Sequence, residues 1–274
     1  MKPVSSGFAL ITVLWVMALI MSVIMAYNYT LGTETKLIKQ SVTSAQTRSL
    51  AKGGVWIGLT SVLESPEARQ WLTDGTPYLV ELGQGKVTIR VQDELGKVDL
   101  NEASQGLITL TLTNIGLEKS RVTQLTQAML DWRDISTENA QKSHDTGLTY
   151  SAKNAAFNSV EELRLLPEMT ESLYQQIVPF FTVYSQRSKM NPRYMTQHSL
   201  QILTGQQSNE MATRDAMIQQ LPWEPQYLEQ NSSRSFTISS KAQINNTSAT
   251  IEAVVLLNPD AEHPFAIISW RESV

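Results

Sequence analysis

Between Phe8 and Thr33 the chain carries no charged residue, and this run starts directly after a short Lys-bearing leader that ends in Gly7. The stretch from Phe8 to Tyr27 supplies about the twenty residues that a helix needs to cross ~30 Å of hydrocarbon at ~1.5 Å per residue. A cleavable secretory signal has a shorter apolar core, roughly 7–15 residues, followed by a small-x-small site. Ile24-Met25-Ala26 imitates that site poorly, because Ile24 is bulky. The run therefore reads as a membrane anchor. Lys2 and the α-amino group precede it, while Glu34, Lys36 and Lys39 follow, so the positive-inside rule gives only a lean towards a cytoplasmic amino terminus.

The residues beyond the anchor are enough for one large domain or two small ones. A net charge of −4 argues against a nucleic-acid binder, which normally presents a basic face. The absence of cysteine excludes disulfides, thiolate metal sites and cysteine nucleophiles, and leaves the compartment open. His144, His198 and His263 stand alone, with no spaced partner suggesting zinc. With no Gly-x-Ser-x-Gly elbow and no phosphate loop, nothing in the sequence asks for an enzyme or a cofactor.

After the anchor the helical pattern continues. Glu34 to Glu64 holds no proline, and Leu37, Ile38, Val42, Ala45, Ala51, Val55, Leu59 and Val62 recur mostly at three- and four-residue steps. This stripe predicts one long helix, its first half in lipid and its second half packed on a following domain. Ser65-Pro66 ends the element or restarts it. The period then changes: Tyr78–Leu82 and Lys86–Gln92 flank Gly83-Gln84-Gly85, a hairpin with a three-residue loop. From about Glu102 to Leu221 the pattern is again helical, with loops near 139–159 and 185–194. Two further strands run through Phe236–Ile244 and Ala249–Leu257, joined by a tight turn at Asn245-Asn246, and Phe265–Trp270 forms a last one. A sheet split by a helical insertion accounts for this order, since the early strands alone are too few to be stable.

The leader from Lys2 to Gly7, followed by Phe8 and an unbroken apolar helix, resembles precursors processed by prepilin peptidases. By that resemblance cleavage falls between Gly7 and Phe8, the new amino terminus on Phe8 is methylated, and the anchor survives. Most pilins and pseudopilins carry Glu at the fifth mature position, and here that position is Thr12. A carboxylate in a bilayer is expensive without a partner, and in these filaments it is thought to pair with a neighbour's amino terminus. Its absence is the known departure of the K-type minor pseudopilin of type II secretion systems. Asp93–Asn101, Leu130–Asp134, Asn154–Thr170 and Leu173–Ser185 also look like stretches of that family, general secretion pathway protein K.

The resemblance implies an α+β fold: a pilin-like long helix on an antiparallel sheet, with an all-helical, SAM-like or helix-hairpin-helix-like insertion between strands. The expected segments are a leader (1–7), a transmembrane half-helix (8–29), the periplasmic half-helix with the first strands (30–101), the insertion (102–221) and the closing strands (222–274). It implies a single-pass inner-membrane protein with a periplasmic domain. Its partners would be prepilin peptidase, other minor pseudopilins in a tip complex and the major pseudopilin.

In that family the segment after the Asp-Trp motif is typically acidic, Gly-containing and followed by Tyr, and some members bind calcium in the insertion. Here Ile135–Gly147 has thinned acids and a lysine. Calcium wants ~6–8 oxygens, and Asp131, Asp134, Glu138 and Asp145 are too widely spaced to promise them, so no metal site is expected. Ser159-Val-Glu-Glu162 is a capping-box pattern, and Val160, Leu163, Leu166, Leu173, Ile177 and Val178 would pack two short helices across Pro167. Such hairpins bind DNA through glycine-rich turns, whereas this one carries Glu168 and neighbours Glu161, Glu162 and Glu171. A packing module is the better reading, and a DNA-uptake protein, a minor pilin of a related type IV filament and an anchored hydrolase at His198 or His263 are the rivals. Trp15 is expected to face lipid or a partner helix, and Trp132 to lie in a core.

Overall fold

The computed structural model describes residues 6–64, 68–133, 153–205, 213–258 and 262–273, with backbone alone at 6–7, 9 and 28–35. The uncharged run and the stripe after it form one helix, α1 (Ser6–Leu63), of 58 residues with no internal proline. Ala51, Val55, Leu59 and Val62 share one face and are buried. They pack on an antiparallel sheet of order β1-β2-β5-β6-β7, with β1 (Asp74–Leu82), β2 (Gly85–Asp93), β5 (Ser235–Ile244), β6 (Thr247–Leu257) and β7 (Phe265–Ser273). Alternation places Val87, Ile89 and Val91 with Phe236, Ile238, Ile251, Ala253 and Val255 against the helix.

Helix and sheet approach closely because the helix presents glycine at the contact. A Cβ on Gly58 would lie 2.6 Å from Ile238 Cγ2, and one on Gly54 would lie 2.7 Å from Val87 Cγ1. The stripe is only partly used. Leu37, Ile38 and Val42, expected to pack on the domain, are exposed, because the sheet reaches no further up α1 than the turn around Thr47.

Between β2 and β5 the chain makes its large excursion: β3 (Val98–Asp99), α2 (Gln105–Asn114), α3 (Lys119–Arg133), α4 (Glu171–Ile177), β4 (Phe181–Thr182), α5 (Gln197–Thr204) and α6 (Arg214–Gln220). These build a second core around Leu107, Leu112, Leu125, Met129, Trp132 and Phe180. The α+β arrangement expected from the sequence is present, with a helical insertion inside the sheet. One feature was not foreseen: β3 and β4 pair in parallel within that insertion, through Val98↔Phe181 and Asp99↔Thr182.

Three local expectations are corrected. The first hairpin has a two-residue loop, Gly83-Gln84, since Gly85 pairs with Leu82. The segment after Ser159 is a 3-10 turn (Val160–Leu165), not a second α-helix. The capping box does not form there: Ser159 makes no side-chain cap, and Glu162 instead accepts from Asn158 N–H, Lys153 and the Trp132 indole. The Asn245-Asn246 turn is present, with Asn245 at φ 51°.

Two glycines separate packing from propensity. At Gly96 a Cβ would overlap the Tyr194 backbone carbonyl, which cannot rotate away, whereas at Gly53 it would meet open space. Gly96→Ala is expected to destabilise the fold by about 1–3 kcal/mol, and Gly53→Ala to stabilise α1 by up to about 1 kcal/mol. Thermal denaturation of the two variants against the parent checks the opposite signs.

Candidate assembly surface

The surface most in need of a partner is the first half of α1. Leu10–Tyr27 has a mean hydropathy of 2.4 and none of it is buried, and among the described residues it is the one helix long and apolar enough to cross a membrane. Phe8 is 71% exposed and Trp15 74%. The Ser22 hydroxyl within the span is satisfied inside the helix, since Ser22 Oγ donates to the Leu19 carbonyl at 2.9 Å. Gly7 and Phe8, the expected processing pair, lie in the first turn of α1, and the leader before Ser6 is outside the described residues. Thr12 is exposed on the helix two turns from its start.

The apolar surface continues above that span. Ile38, 64% exposed, and Trp56, 49% exposed, stand a whole number of helical turns apart and so share a face. Trp56 meets the edge strand β7 through an edge-to-face contact with Phe265, ring centroids 6.2 Å apart, beside the exposed Ile267 and Ile268.

The stretch Asp93–Asn101 is the neck that fixes the insertion to the sheet. Three carboxylates are buried there: Asp93, Glu94 and Asp99. Asp93 accepts from Leu95 N–H at 2.9 Å and from Ser233 N–H at 3.0 Å, so it holds the outgoing and returning chains together. Glu94 pairs with Lys97 at 2.9 Å, accepts from the Thr237 hydroxyl of β5 at 2.6 Å and from the Thr182 hydroxyl of β4. Asp99 accepts from the N–H groups of Asn101 and Gln186 and from the Ser185 hydroxyl, each at 2.9 Å. Burial pushes the Asp93 carboxyl up to about 6 despite these donors, and burial also raises Asp99.

Within the insertion, Trp132 is in the core as expected. It stacks on Phe157 with centroids 5.9 Å apart and donates to Glu162 at 3.0 Å. Burial alone would raise Glu162, but Lys153 and that indole hold its carboxyl below the ordinary value. Arg133 donates to the carbonyls of Leu100 and Ala103, both at 2.8 Å, which ties α3 to the neck.

The other sequence candidates do not come together. Asp131 accepts from Gln127, and Asp134, Glu138, His144 and Asp145 lie outside the described residues. No group of three or more His, Asp or Glu converges on a metal position among the described residues. At the Pro167 turn, Arg164 is held by Glu171 in a two-pronged pair and covers the Tyr174 ring at 3.7 Å. Arg121 is likewise engaged by Glu168. His198 lines a cleft, yet no hydroxyl is hydrogen-bonded to it among the described residues: Thr196 pairs with Ser199 and Thr237 donates to Glu94. His263 is exposed.

A long helix with a bare apolar half, laid on a small antiparallel sheet that carries an insertion, defines the class of pilin-like membrane-anchored proteins. Residues 90–186 match the family model described as type II secretion system (T2SS), protein K. The neck and the Trp132 motif both lie within the matched residues. It is 25% identical over 201 residues to type II secretion system protein K of Klebsiella pneumoniae, covering 64% of this chain and 61% of the relative. The fold matches a chain in the crystal structure of the GspK-GspI-GspJ complex from the enterotoxigenic Escherichia coli type 2 secretion system. That match has a TM-score of 0.58 and 14% identity, over 88% of this chain and 99% of that one.

The raised carboxyl of Asp93 has a signed consequence. A folded-state value of about 6 against an ordinary 3.8 means the folded protein holds the extra proton, so this group's contribution rises as pH falls through 6 and levels off below 4. Stability gained between pH 7 and pH 5 should be about 1 kcal/mol smaller in Asp93→Asn than in the parent. Urea denaturation at the two pH values measures it.

Proposed function

We propose that the chain is a minor pseudopilin of a type II secretion system. It assembles at the tip of the pseudopilus, caps it, and supports protein export across the outer membrane. The observation that carries this reading is the protein K match over 90–186 on a chain whose helix exposes an uncharged span. The role is that of an assembly subunit and not of a catalyst.

In this reading α1 crosses the inner membrane once, with its amino terminus in the cytoplasm and the sheet and insertion in the periplasm. Prepilin peptidase cuts between Gly7 and Phe8, and the new amine on Phe8 is methylated. Thr12 leaves the span without the carboxylate that would hold a neighbour's amine, while Phe8 can still offer its own. Such a subunit packs in one direction, which suits the end of a stack. A structural relative is found in a GspK-GspI-GspJ complex, which supports other minor pseudopilins as partners, with the major pseudopilin below them.

Two measurements test this. Intact mass in cells containing the peptidase should show loss of the leader, and Gly7→Val should retain it; an unchanged mass for both would overturn the processing step. Affinity purification of the full chain from cells co-expressing the other minor pseudopilins should recover them. Their absence, together with unimpaired secretion in a strain lacking this chain, would overturn the tip assignment.

A further inference from the structure

The insertion meets the sheet differently at its two sides. Towards the β1 edge the seam is tight. Arg214 of α6 pairs with Asp74 at 3.0 Å, their side chains only 24% and 7% exposed, and Gly96 lies directly against the Tyr194 backbone. Towards the β7 edge the seam is open. A cleft of about 310 Å³ separates the two bodies there, reaching from Lys97 in the neck to Arg271 in β7, with Val178 and Phe181 on the insertion side and Thr237 and Val254 on the sheet side. The hydrophobic cores on either side of it share no residue. The Arg271 guanidinium bridges this gap. It meets Glu161, in the 3-10 turn of the insertion, and Glu252, its register partner on β6. Among the described residues Arg271–Glu161 is the one ion pair that crosses the seam on this side, and Arg271 is 52% exposed.

We infer that Arg271 is a latch: it holds the β7 side of the insertion against the sheet, and that side swings open about the neck when the latch is released. This inference is independent of the assembly role. An exposed ion pair contributes little to stability and is screened by salt, which suits a reversible catch better than a permanent fastening. The β1 side, with its mostly buried pair and touching backbones, serves as the hinge. A close-packed seam would lose many dispersion contacts on opening, and the cleft removes much of that cost. The two carboxylates have different parts. Glu161 lies across the seam and makes the hold, whereas Glu252 belongs to the same sheet as Arg271 and only aims the guanidinium.

The chain has no cysteine, so pairs of spin labels can be placed at will in the full-length protein in detergent micelles. Ser172→Cys with Ser248→Cys reports on the β7 side, and Gln219→Cys with Lys86→Cys on the β1 side; all four positions are exposed. Distances are read by double electron–electron resonance. At low salt the first pair should show one dominant short distance. Arg271→Gln, Glu161→Gln, and about 1 M salt added to the labelled parent should each raise its long-distance fraction about two- to fivefold, the ratio that an exposed ion pair controls. Glu252→Gln should do so less, the double variant Arg271→Gln/Glu161→Gln no more than either alone, and the second pair should stay fixed throughout. The inference is overturned if the first pair ignores salt and both single variants, if both pairs move together, or if Glu252→Gln acts as strongly as Glu161→Gln. The salt arm leaves the latch residues unchanged, so it decides the matter even where Arg271→Gln misfolds.

Discussion

The close contact of α1 with the sheet is the constraint on which the rest depends. Glycine in a helix interior costs up to about 1 kcal/mol relative to alanine, yet Gly54 and Gly58 sit where side chains would strike Val87 and Ile238. Small residues there let the helix lie deep in the sheet, and Ala51, Val55, Leu59 and Val62 then share a sealed core with the strands. Because that contact uses only the second half of the helix, the first half must project from the body. The anchor's exposure thus follows from where the sheet stops.

The second core hangs from the first by the neck. Three buried carboxylates in so short a segment look costly, since burying a charge is unfavourable unless it is paired or hydrogen-bonded. Each answers donors on a different element: Ser233 before β5, Thr237 in β5, Thr182 in β4, Ser185 beyond it. Their arrangement secures the direction in which the insertion leaves the sheet. Arg133 adds a further tie from α3 to the carbonyls of Leu100 and Ala103.

Strong periodicity made much of the fold legible. The alternation in Val87–Val91 and Ala249–Val255, and the long proline-free helix, are local patterns that packing reinforced. What stayed hidden depends on partners distant in sequence. The start of β1 at Asp74 carries Gly75 and Pro77 and a register shift, all unfavourable to strand prediction. The β3–β4 pair is two residues long on each side. Asp93-Glu-Leu-Gly96 reads as a turn, and nothing local announces that its acids are buried, because apart from Leu95 N–H and Lys97 their donors lie at 182, 233 and 237. The Ser159 box failed for a related reason: Glu162 had better partners in Lys153 and Trp132. At the assembly surface the anchor was plain in the sequence, whereas the exposed Trp56–Phe265 edge appears only once β7 is folded beside α1.

One unbroken helix joins the span to the sheet, about 87 Å long at ~1.5 Å per residue. Such an element behaves as a shaft. A tilt or turn imposed where it is gripped in the bilayer arrives at the far end with no proline joint to absorb it. Because Gly54 and Gly58 seat that shaft firmly against the strands, and the neck clamps the insertion to the same strands, the helical domain takes its bearing from the membrane.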